Sequence, residues 1–353
     1  MRKIFKRQKD YGFFDQDIRM TKLSQLGDPL EKLNKGIDFE IFRDLLERHL
    51  TKATHGKGGR RPYDYVLMFK ILILQRYYNL SDDQVEYQIN DRMSFMRFLD
   101  LSISDDIPDS KTVWHFREQL TDLELIEPIF ILFLQELERL NLIVNEGKII
   151  DASFVEVPKQ RNSREDNATI KAGLIPSSFD TNPHIKGQKD TDARWTKKNQ
   201  INYYGYKNHA KVDSKSKLIT GYVVSDASVH DSRAMEALLD ERDKHQSLHA
   251  DSAYIGQDAI IKAKEVTAEI CEKGYKNKPL TEEQKQNNRE KSKVRSRVEH
   301  IFAFMEGSMN GMYLCAIGKK RITAIIGLMN LTYNMFRKIQ LQEMKMGQVC
   351  PIG

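Results

Sequence analysis

The sequence predicts an α+β or α/β chain: a helical N-terminal region followed by a domain of strands and helices. Three observations predict it. Up to about residue 145 the apolar residues recur at helical spacing, and the breaks fall at capping and turn residues. From residue 146 short β-branched strands alternate with helical stretches. The first strand, Lys148-Ile149-Ile150-Asp151-Ala152-Ser153-Phe154-Val155, carries a carboxylate in its middle. An ionised carboxylate in a buried strand is costly unless a basic side chain or a metal ion accompanies it.

The 353 residues are enough for two domains, and 40% hydrophobic with 30% charged residues describe a soluble globular protein. The net charge of +6 is modest but concentrated. Residues 273–297 hold nine Lys/Arg against three Glu, and 184–217 hold nine against three Asp. The first nine residues add five basic groups and no acid. Such patches fit a polyanionic partner better than an evenly charged surface does; solvated loops are the plainer reading. Cys271, Cys315 and Cys350 are far apart and odd in number, which argues against a disulfide framework or a zinc site. No secretory signal stands at the start, and the run from Ile322 to Phe336 is too short for a bilayer, so it predicts a core helix. A cytoplasmic protein without membrane contact is expected.

Residues 1–60 predict a basic, helical region, with Phe39, Phe42, Leu45 and Leu46 on one amphipathic helix and a Gly-rich connector over Thr54–Arg61. Residues 61–145 predict a helical DNA-binding domain. Val66–Leu74 is almost wholly apolar, hence a buried helix. Ser81-Asp82-Asp83-Gln84 is a capping box ahead of Val85 and Ile89. Pro108-Asp109-Ser110 caps a helix carrying Lys111, Trp114, His115, Phe116 and Arg117. Short helices with tight turns suggest a helix-turn-helix in which Lys111 and Arg117 read DNA; simple packing of Trp114 and Phe116 is the alternative. Thr121–Leu140 predicts one long amphipathic helix.

Residues 146–345 predict the catalytic domain, followed by a tail over 346–353. A polar insertion occupies about 158–200, and insertions of that length are functional or disordered. Tyr203–Val212 and Leu218–Ala227 form a hairpin through the turn Asp213–Ser216. His230-Asp231-Ser232 opens a helix with Met235, Leu238 and Leu239 on one side. Ser247–Asp251 is a short strand ending in a carboxylate, Gln257–Glu265 a helix and Ala268–Cys271 a short strand. The basic arm then leads into a helix with Val294, Val298, Ile301 and Phe302 as its apolar stripe.

This order (strand with Asp, hairpin, helix, strand with Asp, helix, strand, helix with Glu) is that of a ribonuclease-H-like fold. It predicts that Asp151, Asp251 and Glu299 converge. Three carboxylates without counter-charge repel one another. Two divalent cations remove the problem, and oxygen ligands suit Mg²⁺ or Mn²⁺. Two such ions about 3.5–4 Å apart clamp the attacking and leaving oxygens of an in-line phosphoryl transfer. Taken singly, Asp151 could cap a strand end, Asp251 could open a turn and Glu299 could pair with Arg295; jointly, with basic flanks, they point to a metal site.

The chain resembles the DDE transposases of bacterial insertion sequences, in the insertion-sequence-five-like group. The likeness is carried by residues 150–156 (IDASFVE), 160–165 (QRNSRE), 192–195 (DARW), 204–209 (YGYKNH), 229–232 (VHDS), 250–254 (ADSAY) and 295–299 (RSRVE), and by the helical stretch 59–120. It spans about 40–335. The resemblance implies Asp151, Asp251 and Glu299 as the catalytic triad of a transposase. Such an enzyme binds the terminal inverted repeats of its element, cuts DNA with metal-activated water and joins the freed 3′-hydroxyl to target DNA. It also implies a bacterial, nucleoid-associated protein acting as a homodimer or larger assembly on DNA. One departure is clear. Related families carry Tyr, Arg, Glu and Lys around the last acid; Arg295 and Glu299 fit, but Ser292 and Glu306 stand in the outer two positions. That puts borrowed strand-end handling in doubt, not the metal chemistry.

Further DNA-contact candidates are Lys207 and His209, at i and i+2 on one strand face, and Lys291, Lys293, Arg295 and Arg297 ahead of Glu299. On a helix Arg295 lies one turn before Glu299 on the same side, and Arg297 faces away. His230 and Asp231 suit a helix cap as well as a catalytic pair. Trp195 could stack on a displaced base or anchor the insertion. Two rival functions remain on the residues alone: a nuclease of the same fold that does not join strands, and a catalytically silent DNA-binding regulator.

Overall fold

A computed structural model of the chain describes residues 12–51, 61–275 and 278–349. The basic groups of the first nine residues and nearly all of the connector 54–61 lie outside the described residues.

Among the described residues eight α-helices precede the sheet: α1 (Asp15–Gln25), α2 (Pro29–Gly36), α3 (Arg43–Leu50), α4 (Tyr65–Tyr77), α5 (Asp82–Asp91), α6 (Met93–Phe98), α7 (Ser110–Asp122) and α8 (Ile126–Arg139). Their starts follow from short polar side chains that accept orphan N–H groups. Asp64 accepts from Val66 and Leu67, Asp109 from Thr112, and Ser81 and Gln84 form the predicted capping box. Phe39 and Phe42 are buried in a 3₁₀ turn that runs into α3, and Leu46 is buried on α3 itself. The single helix predicted over Thr121–Leu140 is two. Glu124 has φ 53°, and the Leu125 N–H closes α7 by bonding the Leu120 carbonyl at 2.9 Å. Periodicity could not show this break, because the apolar stripe resumes in phase beyond it.

The described residues then form one six-stranded sheet: β1 (Gly147–Glu156), β2 (Arg194–Lys198), β3 (Ile201–Asp213), β4 (Ile219–Asp226), β5 (Ser247–Ala250) and β6 (Thr267–Ile270). β3 lies antiparallel to β1, β2 and β4, whereas β5 runs parallel to both β1 and β6. This mixed sheet behind a helical region is the ribonuclease-H-like arrangement predicted from element order. The insertion is not an open loop: it holds α9 (Arg164–Lys171), α10 (Ser177–Asp180) and α11 (Pro183–Gln188) and ends in β2. Buried Asp190 anchors it, accepting from the Tyr206 hydroxyl at 2.8 Å and the Gly318 N–H at 3.1 Å.

After β4 come α12 (Met235–Leu238), α13 (Asp258–Ala263), α14 (Glu282–Arg295), α15 (Glu299–Ala303) and α16 (Lys319–Val349). The helix predicted around Val294–Phe302 is interrupted by a 3₁₀ turn, Ser296–Val298, between α14 and α15. α16 reaches into the stretch expected as a tail. It is the core helix predicted from Ile322–Phe336, and its polar residues are buried, not lipid-facing. Asn334 bonds both backbone groups of Ile219, and Asn330 and Asn208 exchange amide hydrogen bonds. A large core joins α2–α8, one face of the sheet and α16; a smaller one, with Ile150, Met235, Leu248 and Tyr254, covers the other face. Among the described residues no helix is long and apolar enough to cross a membrane.

Candidate active site

β1 and β5 pair in parallel with Gly147 opposite Ser247 and Ile149 opposite His249. Asp251 is the first residue past the end of β5, two beyond the Ile149–His249 pair, and its charge acts on the Asp151 carboxyl. The Asp151 side chain is half-buried. One oxygen accepts the Ala152 N–H at 2.8 Å and the other accepts from the Arg295 guanidinium at 2.9 Å. Asp251 follows the last residue of β5 and caps the 3₁₀ turn Ser252–Tyr254 by accepting from Ala253. Glu299 opens α15 and binds the other end of the same guanidinium at 3.2 Å. Arg295 therefore bridges two of the three acids.

Burial is the main force raising the Asp151 carboxyl above the ordinary range, and the Asp251 charge adds to it. The Ala152 N–H, Arg295 and Lys198 oppose it. Lys198 was not singled out from the sequence; it lies in β2 with its ammonium 5.7 Å from the Phe154 ring. The donor set suits a hard divalent cation, being all carboxylate oxygen around a position that already attracts positive charge. Among the described residues no three His, Cys, Asp or Glu side chains yet stand close enough to enclose an ion. The reason is visible at Glu299, which is 62% exposed and turned to Arg295.

The structure places the other candidates as follows. Lys207 and His209 are a correction. Their cross-strand partners are Phe154 and Ala152, whereas Asp151 pairs with Ala210, so strand alternation puts them on the opposite sheet face from Asp151. Lys207 is committed to Asp231 and the Val229 carbonyl, and His209 is fully buried against Ser225. Neither presents a donor to a phosphate at the triad. Arg117 is held by both oxygens of Asp82 and by Gln75, inside the helical region, so it is not a groove reader in this arrangement. Arg297 donates to the Ser214 carbonyl at 2.7 Å instead of facing outward. Lys291 donates to the Ile270 carbonyl. Lys111 and Lys293 are exposed. His230 caps the turn that starts at Asp231. Trp195 packs on Tyr204 with ring centroids 5.0 Å apart, a contact that fits an anchor for the insertion.

A mixed sheet with Asp151 on β1, Asp251 just past its parallel neighbour β5 and Glu299 at the start of α15 is the layout expected of a ribonuclease-H-like domain. The family model described as the transposase DDE domain matches residues 144–335, more than half of the 353. A second, described as "Transposase domain (DUF772)", matches residues 18–119. The chain belongs to the DDE transposases, and it is an enzyme of that type. The family works on DNA and depends on divalent metal. Among solved structures, the chain is similar to a piggyBac transposase, solved by cryo-EM as a synaptic complex with hairpin DNA. The two are 13% identical with a TM-score of 0.45, over 92% of this chain and 77% of that one.

Proposed function

We propose that Asp151, Asp251 and Glu299 are the catalytic acids and that they hold two Mg²⁺ or Mn²⁺ ions. The substrate is the terminal inverted repeats of an insertion sequence of the insertion-sequence-five-like group, which the enzyme cleaves and joins to target DNA. The observation that supports the reading is Arg295: one guanidinium spans Asp151 and Glu299, so two of the three acids share a position held by positive charge. Bound there, the ions supply activated water and neutralise charge developing on the phosphate. The chain's own residues do the rest. β1 and β5 fix the two aspartates on adjacent strands, and the α14–α15 junction delivers Glu299. Burial of Asp151 favours whatever cation neutralises it. Arg295, displaced from Asp151, lies within reach of a bound phosphate, and Lys293 and Lys111 add backbone affinity. We further propose a homodimer or larger assembly on DNA, a bacterial cytoplasmic setting at the nucleoid, and repeat recognition by the helical region 61–145.

Asp151→Asn, Asp251→Asn and Glu299→Gln test the assignment. Each is expected to abolish cleavage and joining of a repeat-end duplex in Mg²⁺ while the purified variant still binds that duplex. Substantial cleavage by any one of them removes that residue from the triad. Hydrolysis without strand transfer of pre-cut ends by the wild type would identify a nuclease of the same fold instead.

A further inference from the structure

Glu299 reaches the site from a junction, not from the middle of a helix. α14 ends at Arg295, the 3₁₀ turn Ser296–Val298 follows, and Glu299 is the first residue of α15. A short 3₁₀ stretch between two α-helical ones is a hinge, and what holds the turn decides where the next residue points. Two of its side chains are held. Val298 is fully buried in the large core. Arg297 donates through Nη1 to the Ser214 carbonyl at 2.7 Å, so its guanidinium is spent on a neutral acceptor and not on an acid.

Ser214 is a firm anchor. It lies in the turn between β3 and β4, next to Asp213, which is fully buried. Asp213 accepts from the Asn145 N–H, the Ser216 N–H and the Ser216 hydroxyl, each at 2.8 Å. The Ser214 N–H donates to the Gly147 carbonyl at 2.9 Å, at the start of β1. α16 grips the same turn from its other end: Arg337 donates to the Ser216 carbonyl at 2.7 Å and the Tyr333 hydroxyl to the Lys217 carbonyl at 2.9 Å. A hydrogen-bonded path thus runs from β1, the strand of Asp151, through Gly147 and Ser214 to Arg297, two residues ahead of Glu299. The direct tie between the acids, Arg295, is given up when a cation displaces it from Asp151. The tie through Arg297 is not.

We propose that Arg297 is a positioning residue: its bond to the Ser214 carbonyl holds the turn that aims Glu299 at the two aspartates. The inference rests on the reading of Glu299 as an acid that holds metal. Full-length wild type, Arg297→Gln, Glu299→Gln and the double variant are titrated with manganese chloride in a calorimeter. Arg297→Gln is expected to weaken Mn²⁺ binding about tenfold, as the loss of a supporting hydrogen bond does at a metal site. Charge alone predicts the opposite sign, since removing a cation favours the arrival of another. In the Glu299→Gln background the same substitution should change the affinity by less than about twofold, because no carboxylate is left to aim. Single-turnover cleavage in Mg²⁺ at saturating repeat-end duplex should fall about tenfold to a hundredfold. Affinity for the duplex without metal, and its salt slope, should stay those of the wild type. If Arg297→Gln fails to fold, Arg297→Lys, which keeps the charge on a shorter donor, carries the same cycle with an expected loss of about threefold. Unchanged Mn²⁺ affinity, or an equal loss in both backgrounds, would overturn the proposal. So would a salt slope flatter by about 0.9 with normal Mn²⁺ binding, which would make Arg297 a phosphate contact. Should Glu299→Gln by itself leave Mn²⁺ binding and cleavage intact, the assignment of Glu299 fails and the role of Arg297 falls with it; a response to Glu299→Gln without one to Arg297→Gln refutes the role of Arg297 alone.

Discussion

Arg295→Gln is the substitution that asks most of the site. In the structure Arg295 neutralises Asp151 at 2.9 Å and Glu299 at 3.2 Å, with side-chain exposures of 23% for Arg295 and 17% for Asp151. A partly buried, charge-assisted hydrogen bond of the first kind contributes about 1.5–3 kcal/mol. The exposed i,i+4 pair contributes about 0.3–0.5 kcal/mol. The metal-free variant should therefore lose roughly 2–3 kcal/mol, mostly because Asp151 is left uncompensated. At about 2–4 °C per kcal/mol the melting temperature falls by roughly 4–12 °C. Divalent metal should restore much of this, since it takes over the neutralising role. The same competition works in reverse. A cation binding Asp151 must first displace the guanidinium, so Arg295→Gln should bind Mn²⁺ about 10–100-fold more tightly. On DNA the variant should show a salt slope flatter by about 0.9, for one lost phosphate contact, and slower cleavage at saturating DNA, because positioning is part of catalysis. Thermal melts with and without Mn²⁺, calorimetric Mn²⁺ titration, DNA-binding titrations over a range of salt and single-turnover cleavage read all four. An equal loss of stability with and without metal, an unchanged Mn²⁺ affinity, an unchanged salt slope and normal cleavage would reduce Arg295 to a helix-stabilising partner of Glu299 and refute the reasoning.

Two further outcomes follow from buried polar groups away from the triad. Burial lowers His209 from 6.5 to about 4, so the unfolded chain takes up a proton below pH 6.5 that the folded chain refuses until about pH 4. Stability should fall between those limits, by about 3 kcal/mol from this group, and level off below them; His209→Gln should flatten that acid limb in pH-dependent melts, and an unchanged slope would count against the assignment. Asn334→Ala should cost about 2–4 kcal/mol, since it strands the buried N–H and C=O of Ile219 on β4; a denaturant midpoint within error of wild type would contradict it.

The places of the three acids in the fold were legible because element order decides them: Asp151 lies mid-strand, Asp251 directly follows a strand and Glu299 opens a helix. Helix starts at Ser81 and Asp109 were legible for a local reason, a short side chain that accepts from the N–H three residues on. Tertiary commitments were not. Spacing alone put Lys207 and His209 on one face of β3 but could not say which face, and pairing with Phe154 and Ala152 turned them from Asp151. Arg117 and Arg297 looked like free cations because their partners, Asp82 and Ser214, lie far along the chain. The insertion looked like a loop because its three helices are short, and because the contacts that anchor it, Asp190 with Tyr206 and Gly318, lie far along the chain. Asn330 and Asn334 carried a signal that could have been used: amides inside an apolar helix need buried partners.

The division at residue 145, drawn from the change of pattern, bears on how DNA recognition should be tested. α16 packs against α2, α4, α7 and α8, so its residues up to Ile339 complete the core of the helical region. Phe336 stacks on Tyr77 with centroids 4.2 Å apart, and Ile339 sits against Gly36, where an added Cβ would meet it at 2.7 Å. Ile322, Ile326, Leu328, Met329, Leu331 and Met335 of this helix are fully or almost fully buried. At about 1.5–3 kcal/mol for each buried aliphatic side chain, what the helix brings to the joint core rivals the roughly 5–15 kcal/mol by which a whole domain is stable. A fragment of residues 1–145 lacks it and leaves one side of α4, apolar almost all round, uncovered. That fragment should show no cooperative melt and should bind dye to exposed apolar surface, while the full chain melts cooperatively. Recognition of a terminal repeat by region 61–145 is accordingly to be measured in the full chain carrying Asp151→Asn. Should the fragment instead melt cooperatively near the full-length temperature and discriminate the repeat from scrambled DNA, α16 would be a cover for the helical region and not a part of its core.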